Sequence, residues 1–199
     1  MQVRIKDDSV EISGYVNAVG RESRPLRDSK GWFAETIEPG AFSRALMHGK
    51  RVMLLNHDKS RVLAEEGSGL ELYEDGVGLF ARATVADADI VEKARKRELR
   101  GWSFGFAPTS QTDEERDGIR HRTVRELDLF EVSIIDQRKL PAYAATSVFT
   151  RDADDGPTDF RAMDFADVET IEEVARAADE PDLSEYERVL NDLEADLEA

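Results

Sequence analysis

The chain has 199 residues, with 27 Lys and Arg against 43 Asp and Glu for a formal net charge of −16. That balance argues against binding nucleic acid through charge, which needs clustered basic side chains. The lack of cysteine excludes disulfides, thiolate catalysis and cysteine-ligated zinc, and no run of about 18 apolar residues is present to span a membrane. The acidity is unevenly spread. Residues 151–199 hold 18 acids and four arginines, whereas residues 1–150 hold 25 acids and 23 bases. The sequence therefore divides into a near-neutral body, 1–150, large enough to bury a core, and an acidic extension, 151–199.

Taken in chain order, the N-terminal segment MQVRIKDDSVEISG has no apolar run of the kind a signal peptide carries. Val10–Asn17 alternates apolar and polar residues and predicts a half-buried strand. Pro39–Met47 predicts a short helix, and the apolar run Val52–Leu55, ending at Asn56-His57-Asp58, predicts another strand. Leu70–Val85 places Asp75-Gly76 between two alternating segments, a hairpin signal. Ala86–Leu99 reads as a helix with Asp87 or Asp89 near its start and basic residues near its end. Gly101–Ala107 and Thr123–Ile135 predict a strand pair joined by a polar loop, Ser110–Gly118. No βαβ repetition appears, so a β-rich α+β domain or barrel is expected.

In the extension, Asp152–Asp159 reads as a linker, and residues 159–178 and 181–197 as amphipathic helices. Leu183, Tyr186, Leu190, Leu193 and Leu197 follow a heptad-like spacing, and Phe165, Val168, Ile171 and Ala175 approximate one. The Asp152–Gly156 stretch resembles a calcium loop only superficially, because its glycine falls one position early and no ligating Glu follows at the required distance.

Three places in the body carry chemistry. Gly101-Trp102-Ser103-Phe104-Gly105 is a G-x-S-x-G pattern, but no parallel α/β arrangement surrounds it and only His121 follows it, so the α/β-hydrolase reading fails. His57 lies just past an apolar strand. Glu131 sits inside the apolar stretch 127–135, and a strict period of two puts it on one face with Leu127, Leu129 and Ser133. A carboxylate there is costly unless paired; it is either a strand-edge group satisfied by Arg or solvent, or the member of a triad that orients an imidazole.

Six short pieces in order resemble the prohead proteases of tailed phages, a serine protease family distantly similar to herpesvirus assemblins. They are Ile12-Ser13-Gly14-Tyr15, Glu38-Pro39-Gly40-Ala41-Phe42, Leu55-Asn56-His57-Asp58, Trp102-Ser103-Phe104-Gly105-Phe106, Leu129-Phe130-Glu131-Val132-Ser133-Ile134 and Pro141-Ala142. The resemblance covers about the first 150 residues, and it implies an assemblin-like antiparallel β-barrel core with a few helices. It also implies a serine endopeptidase with His57 as base, Ser103 as nucleophile and the third member on the 131–133 strand. Glu131 is the expected third member and Glu126 its competitor, with Arg138 or Lys139 near the place of an oxyanion-supporting arginine. The implied substrates are the scaffolding portion of the major capsid protein and the chain itself, cut inside the assembling prohead in the host cytoplasm. Self-association is implied as well, with no direct contact to nucleic acid or membrane; no metal or organic cofactor is expected. The alternative is a catalytically silent scaffold or docking protein of capsid assembly.

Overall fold

The computed structural model describes residues 1–137, 159–162 and 169–172. Strands dominate. They are β1 (Gln2–Ile5), β2 (Val10–Ala18), β3 (Leu26–Asp28), β4 (Gly31–Ile37), β5 (Val52–Leu55), β6 (Asp58–Glu66), β7 (Gly69–Glu74), β8 (Gly78–Val85), β9 (Leu99–Arg116), β10 (Ile119–Asp136), β11 (Asp159–Ala162) and β12 (Glu169–Glu172). Two helices, α1 (Ala41–Leu46) and α2 (Ala88–Arg95), complete the described elements. The main hydrogen-bonded path runs β11-β9-β10-β5-β6-β7-β8-β2-β1-β12, with β4 on β10 and β3 on β4.

The predicted strands at 10–17 and 52–55, the 70–85 hairpin and both body helices are present. Local chemistry explains them. At the hairpin, the Asp75 carboxylate accepts the N–H groups of Val77 and Gly78 at 2.8 and 3.1 Å, an Asx turn built by its own side chain. Gly78 is obligatory for a different reason: a Cβ there would lie 2.0 Å from the Asn17 carbonyl oxygen. Asp87 caps α2 by accepting from the N–H groups of Asp89 and Ile90. The Glu74 carboxylate reaches across to the start of α1, accepting from Gly40 and Ser43 N–H at 2.6 Å each.

Several expectations are corrected. The described strands form an open sheet with β11 and β12 at its ends, not a closed barrel. Nor is it purely antiparallel, since β1–β12, β4–β10, β5–β10 and β6–β7 are parallel pairs. The long strand β10 accounts for part of this, because it carries β4 along residues 120–124 and β5 along 131–134. The polar loop expected at Ser110–Gly118 is strand almost throughout. The chain reverses only at Asp117 and Gly118, both left-handed at φ 53° and 74°, as a two-residue hairpin turn requires. That arm is exposed on its β9 side, so its sequence lacks the apolar alternation that marks a half-buried strand. Within the helix predicted over 159–178, residues 159–162 and 169–172 are instead edge strands, on β9 and β1 respectively. Pairing with an existing strand satisfies their backbone groups and overrides the helical periodicity. The 181–197 helix lies outside the described residues.

The core gathers Val3, Ile12, Val16, Phe42, Met53, Leu79, Ile90, Trp102, Phe104 and Phe106 among others. Phe104 packs edge-on against Phe42 and stacks on Phe106, with ring centroids 5.4 and 5.1 Å apart. The aromatic residues of β9 thus commit its even-numbered face to the core, which leaves Ser103 and Gly105 on the other.

Candidate active site

Two strands and one turn bring the predicted residues together. Ser103 lies in β9 directly opposite Ser133 of β10, and Gly105 opposite Glu131. Gly105 contributes no side chain, which leaves room on that face for a carboxylate and an imidazole. The strict alternation expected along 127–133 does not hold. A register shift between Leu129 and Glu131 switches the parity of β10. Leu127 and Leu129 belong to the core before it, and Val132 and Ile134 after it. The irregularity therefore takes Glu131 off the face of the two leucines, as β-bulges commonly re-aim a side chain near a site.

His57 comes from the two-residue turn between β5 and β6. Asn56 and His57 are both left-handed, with φ of 55° and 62°. Asn tolerates that region better than most residues, and His is also enriched there. The turn is tied to β10 at several points. Asn56 N–H donates to the Ile134 carbonyl at 2.9 Å. Its side-chain amide donates to Asp136 Oδ1 at 2.9 Å and accepts from Asp136 N–H at 3.1 Å. Asp136 is itself 1% exposed and lies 3.4 Å from the Lys93 ammonium. His57 N–H donates to Ser133 Oγ at 3.2 Å.

The result is a continuous chain of hydrogen bonds. Ser103 Oγ lies 2.8 Å from His57 Nε2, and His57 Nδ1 lies 2.7 Å from Glu131 Oε1. Ser133 Oγ–H donates to the other carboxylate oxygen, Glu131 Oε2, at 2.5 Å. With the proton on Nδ1, held by Glu131, Nε2 is the acceptor facing the Ser103 hydroxyl. The arrangement can therefore take a proton from Ser103 and stabilise the imidazolium that forms. It is shielded, the His57 and Glu131 side chains being only 14% and 8% exposed.

The structure brings His57, Ser103 and Glu131 into contact and leaves Glu126 out. Glu126 pairs with Ser110 further along β10 and is exposed, on a surface groove with Arg44, His48 and Arg51. His121 lies against Glu22, 2.5 Å away. Arg138 and Lys139 lie outside the described residues. Among the described residues no group of three or more His, Asp or Glu side chains is placed to hold a metal ion. Sequence reasoning missed the supporting parts of the site, namely Asn56, Ser133 and Asp136. The one available signal was an Asn-His pair at a strand end, a dipeptide suited to a left-handed turn.

It also missed a buried ionic cluster beside Ser103. Glu35 of β4, Arg122 of β10, and Asp159 and Arg161 of β11 are each at most 6% exposed. Glu35 accepts from Arg161 Nε at 2.8 Å and from Arg122. Asp159 accepts from Arg122 at 2.8 Å and from Arg161 at 2.9 Å. Burial alone would weaken the charge on Arg122, but the facing carboxylates of Glu35 and Asp159 outweigh it and raise its pKa above the usual arginine value. The Arg122 and Arg161 guanidinium groups also lie 4.7 and 5.9 Å from the Phe33 ring centroid.

A family model described as caudovirus prohead serine protease matches residues 1–158. Neither the curated proteins nor the solved structures offer a match to the chain.

Proposed function

Because the chain belongs to the caudovirus prohead serine protease family, we propose that it is a serine endopeptidase that cuts the scaffolding portion of the major capsid protein, and also itself, during prohead maturation. Ser103 is the nucleophile, His57 the general base and Glu131 the group that orients the imidazole. The family acts on capsid proteins within the assembling capsid in the host cell, which supports the same setting for this chain.

The single observation that carries this reading is the unbroken Ser103–His57–Glu131 hydrogen-bond chain. In the first step the Ser103 oxygen adds to the scissile carbonyl carbon while His57 Nε2 takes the hydroxyl proton. Glu131 holds the other ring nitrogen and offsets the positive charge that develops. His57 then returns the proton to the departing amine, leaving an acyl-serine ester. A water deprotonated by the same imidazole releases it. Ser133 and Asn56 hold Glu131 and the His57 turn in place and are positioning residues.

The test is incubation of the purified chain with the cognate capsid protein and mass analysis of the fragments. Ser103→Ala and His57→Ala each abolish processing while thermal stability stays near that of the parent. Continued processing by Ser103→Ala would overturn the assignment.

A further inference from the structure

Ser103 is 1% exposed, and part of what covers it is another segment of the same chain. Strand β11 lies antiparallel on the edge of β9, with Ala162 opposite Ser103 and Arg161 opposite Phe104. The Ser103 hydroxyl that faces His57 Nε2 also lies within donating distance of the Arg161 carbonyl oxygen, 2.8 Å away, so an extended peptide sets a backbone carbonyl beside the proposed nucleophile. Extended peptides bind exposed sheet edges in this way, with backbone hydrogen bonds giving affinity and alternate side chains giving specificity.

The alternate side chains here are Asp159 and Arg161, and both enter the buried ionic cluster. Arg161 presents Nε and Nη2 to the two oxygens of Glu35, at 2.8 and 3.2 Å, and its guanidinium lies 5.3 Å from the Phe106 ring centroid. Asp159 faces Arg122. The body supplies one acid and one base, Glu35 and Arg122; the peptide supplies the complementary base and acid. Four buried charges alternate in sign and sum to zero. A peptide carrying only the arginine would leave one buried positive charge in excess, and a peptide carrying only the aspartate one negative charge. Unpaired buried charge is strongly unfavourable. Lysine, a point charge, cannot reproduce the fork that arginine makes to Glu35.

We propose that Asp159–Ala162 occupies the substrate cleft as a peptide does, that the cleft selects Asp-x-Arg with the arginine carbonyl at Ser103, and that the bond the chain cuts in itself is Arg161–Ala162. The proposal rests on the serine endopeptidase reading above. In the self-cleavage step the Ser103 oxygen adds to the Arg161 carbonyl carbon as His57 takes its proton. The Arg161–Ala162 C–N bond breaks, and the Ala162 nitrogen leaves as an amine carrying the proton from His57. Water then hydrolyses the ester to give an Arg161 carboxylate and restores Ser103. Glu35 is the residue that reads the arginine, and Arg122 the one that reads the aspartate.

The test follows the purified full-length chain by intact mass over time, then assays the same enzyme on peptides spanning residues 156–166. Fragments ending at Arg161 and beginning at Ala162 are expected, and Ser103→Ala gives neither. In the chain, Arg161→Leu slows the cut by about 100-fold or more, as expected for leaving buried charges unpaired. Peptides with Leu or Lys at 161, or Asn at 159, are cut by the unaltered enzyme at least about tenfold less efficiently than the parent peptide. These substrates bypass any folding defect in the variants. Ser103-dependent cutting elsewhere, with Arg161–Ala162 intact and no preference for the parent peptide, would overturn this inference and leave the endopeptidase standing. If no substrate, the capsid protein included, is cut in a Ser103-dependent way, both fall.

Discussion

Replacing Glu131 by Gln tests the proposed mechanism most sharply, because it removes a charge and almost no volume. The carboxylate accepts two hydrogen bonds, from His57 Nδ1 at 2.7 Å and from Ser133 Oγ–H at 2.5 Å. An amide cannot accept both at its two ends. If its oxygen faces His57, its NH2 meets the Ser133 hydroxyl, which then loses its acceptor. If its NH2 faces His57, the imidazole carries its proton on Nε2 and cannot take one from Ser103. Either arrangement also leaves the imidazolium of the reaction without its counter-charge. The loss of one charge-assisted bond is worth about 1.5–3 kcal/mol, and the wrong tautomer adds to it. A comparable substitution in the trypsin triad lowers kcat by about 10,000-fold. The expected fall in kcat for Glu131→Gln is therefore about 1,000- to 10,000-fold, or roughly 4 to 5.5 kcal/mol at 1.36 kcal/mol per tenfold. The assay is steady-state hydrolysis of a capsid-derived peptide, with Glu126→Gln as the control and a thermal melt to verify folding. Glu126 is exposed and bonded elsewhere along β10, so its variant stays within about threefold of the parent. Equal losses in the two variants, or a Glu131→Gln enzyme that keeps its rate, would refute the reasoning.

Two further expectations concern the frame of the site. Asn56→Ala removes the paired amide bonds to Asp136 and puts at φ 55° a residue without asparagine's tolerance of the left-handed region; together these cost about 2–4 kcal/mol by urea denaturation. Asn56→Gly, which restores only the backbone freedom, recovers part of that loss, and an alanine variant within 0.5 kcal/mol of the parent, roughly the effect of an ordinary surface substitution, would count against the account. The second expectation concerns pH. Burial of Asp28 pushes its carboxyl upward, but the Arg120 hydrogen bond, the Lys30 N–H and the charges of Arg120 and Arg122 outweigh it, holding it below its usual 3.8. A depressed carboxyl stabilises the fold above its unfolded value and loses that contribution as pH falls through the lower folded value. The parent therefore loses melting temperature more steeply than Asp28→Asn between about pH 5 and pH 2, and parallel curves would contradict this.

Period-two alternation, a short apolar run and turn residues were enough to place β2, β5 and the β7–β8 hairpin, because β2 buries one face, β5 is buried on both and the hairpin turns on its own Asp75. The acid capping α2 could be read locally for the same reason. The polar β9–β10 arm was illegible: its strands are held by partner backbone, and backbone hydrogen bonds leave no mark in the side-chain pattern. The acidic segment misled for a related reason, since the amphipathic period read there covers residues 159–162 and 169–172, which β9 and β1 recruit into edge strands.

The candidate site divides along the same line. The sequence by itself determined which residue types were available, a His, a Ser and a carboxylate in that order, and which strands carry two of them. It favoured Glu131 but could not dismiss Glu126, because alternation along one strand says nothing about where the partner strand breaks register. The shift between Leu129 and Glu131 turns that carboxylate toward the His57 turn. Nor could it show Arg161 against Ser103, a contact between residues 58 positions apart. Such contacts are decided only when the sheet assembles, since distant segments meet by pairing backbone with backbone.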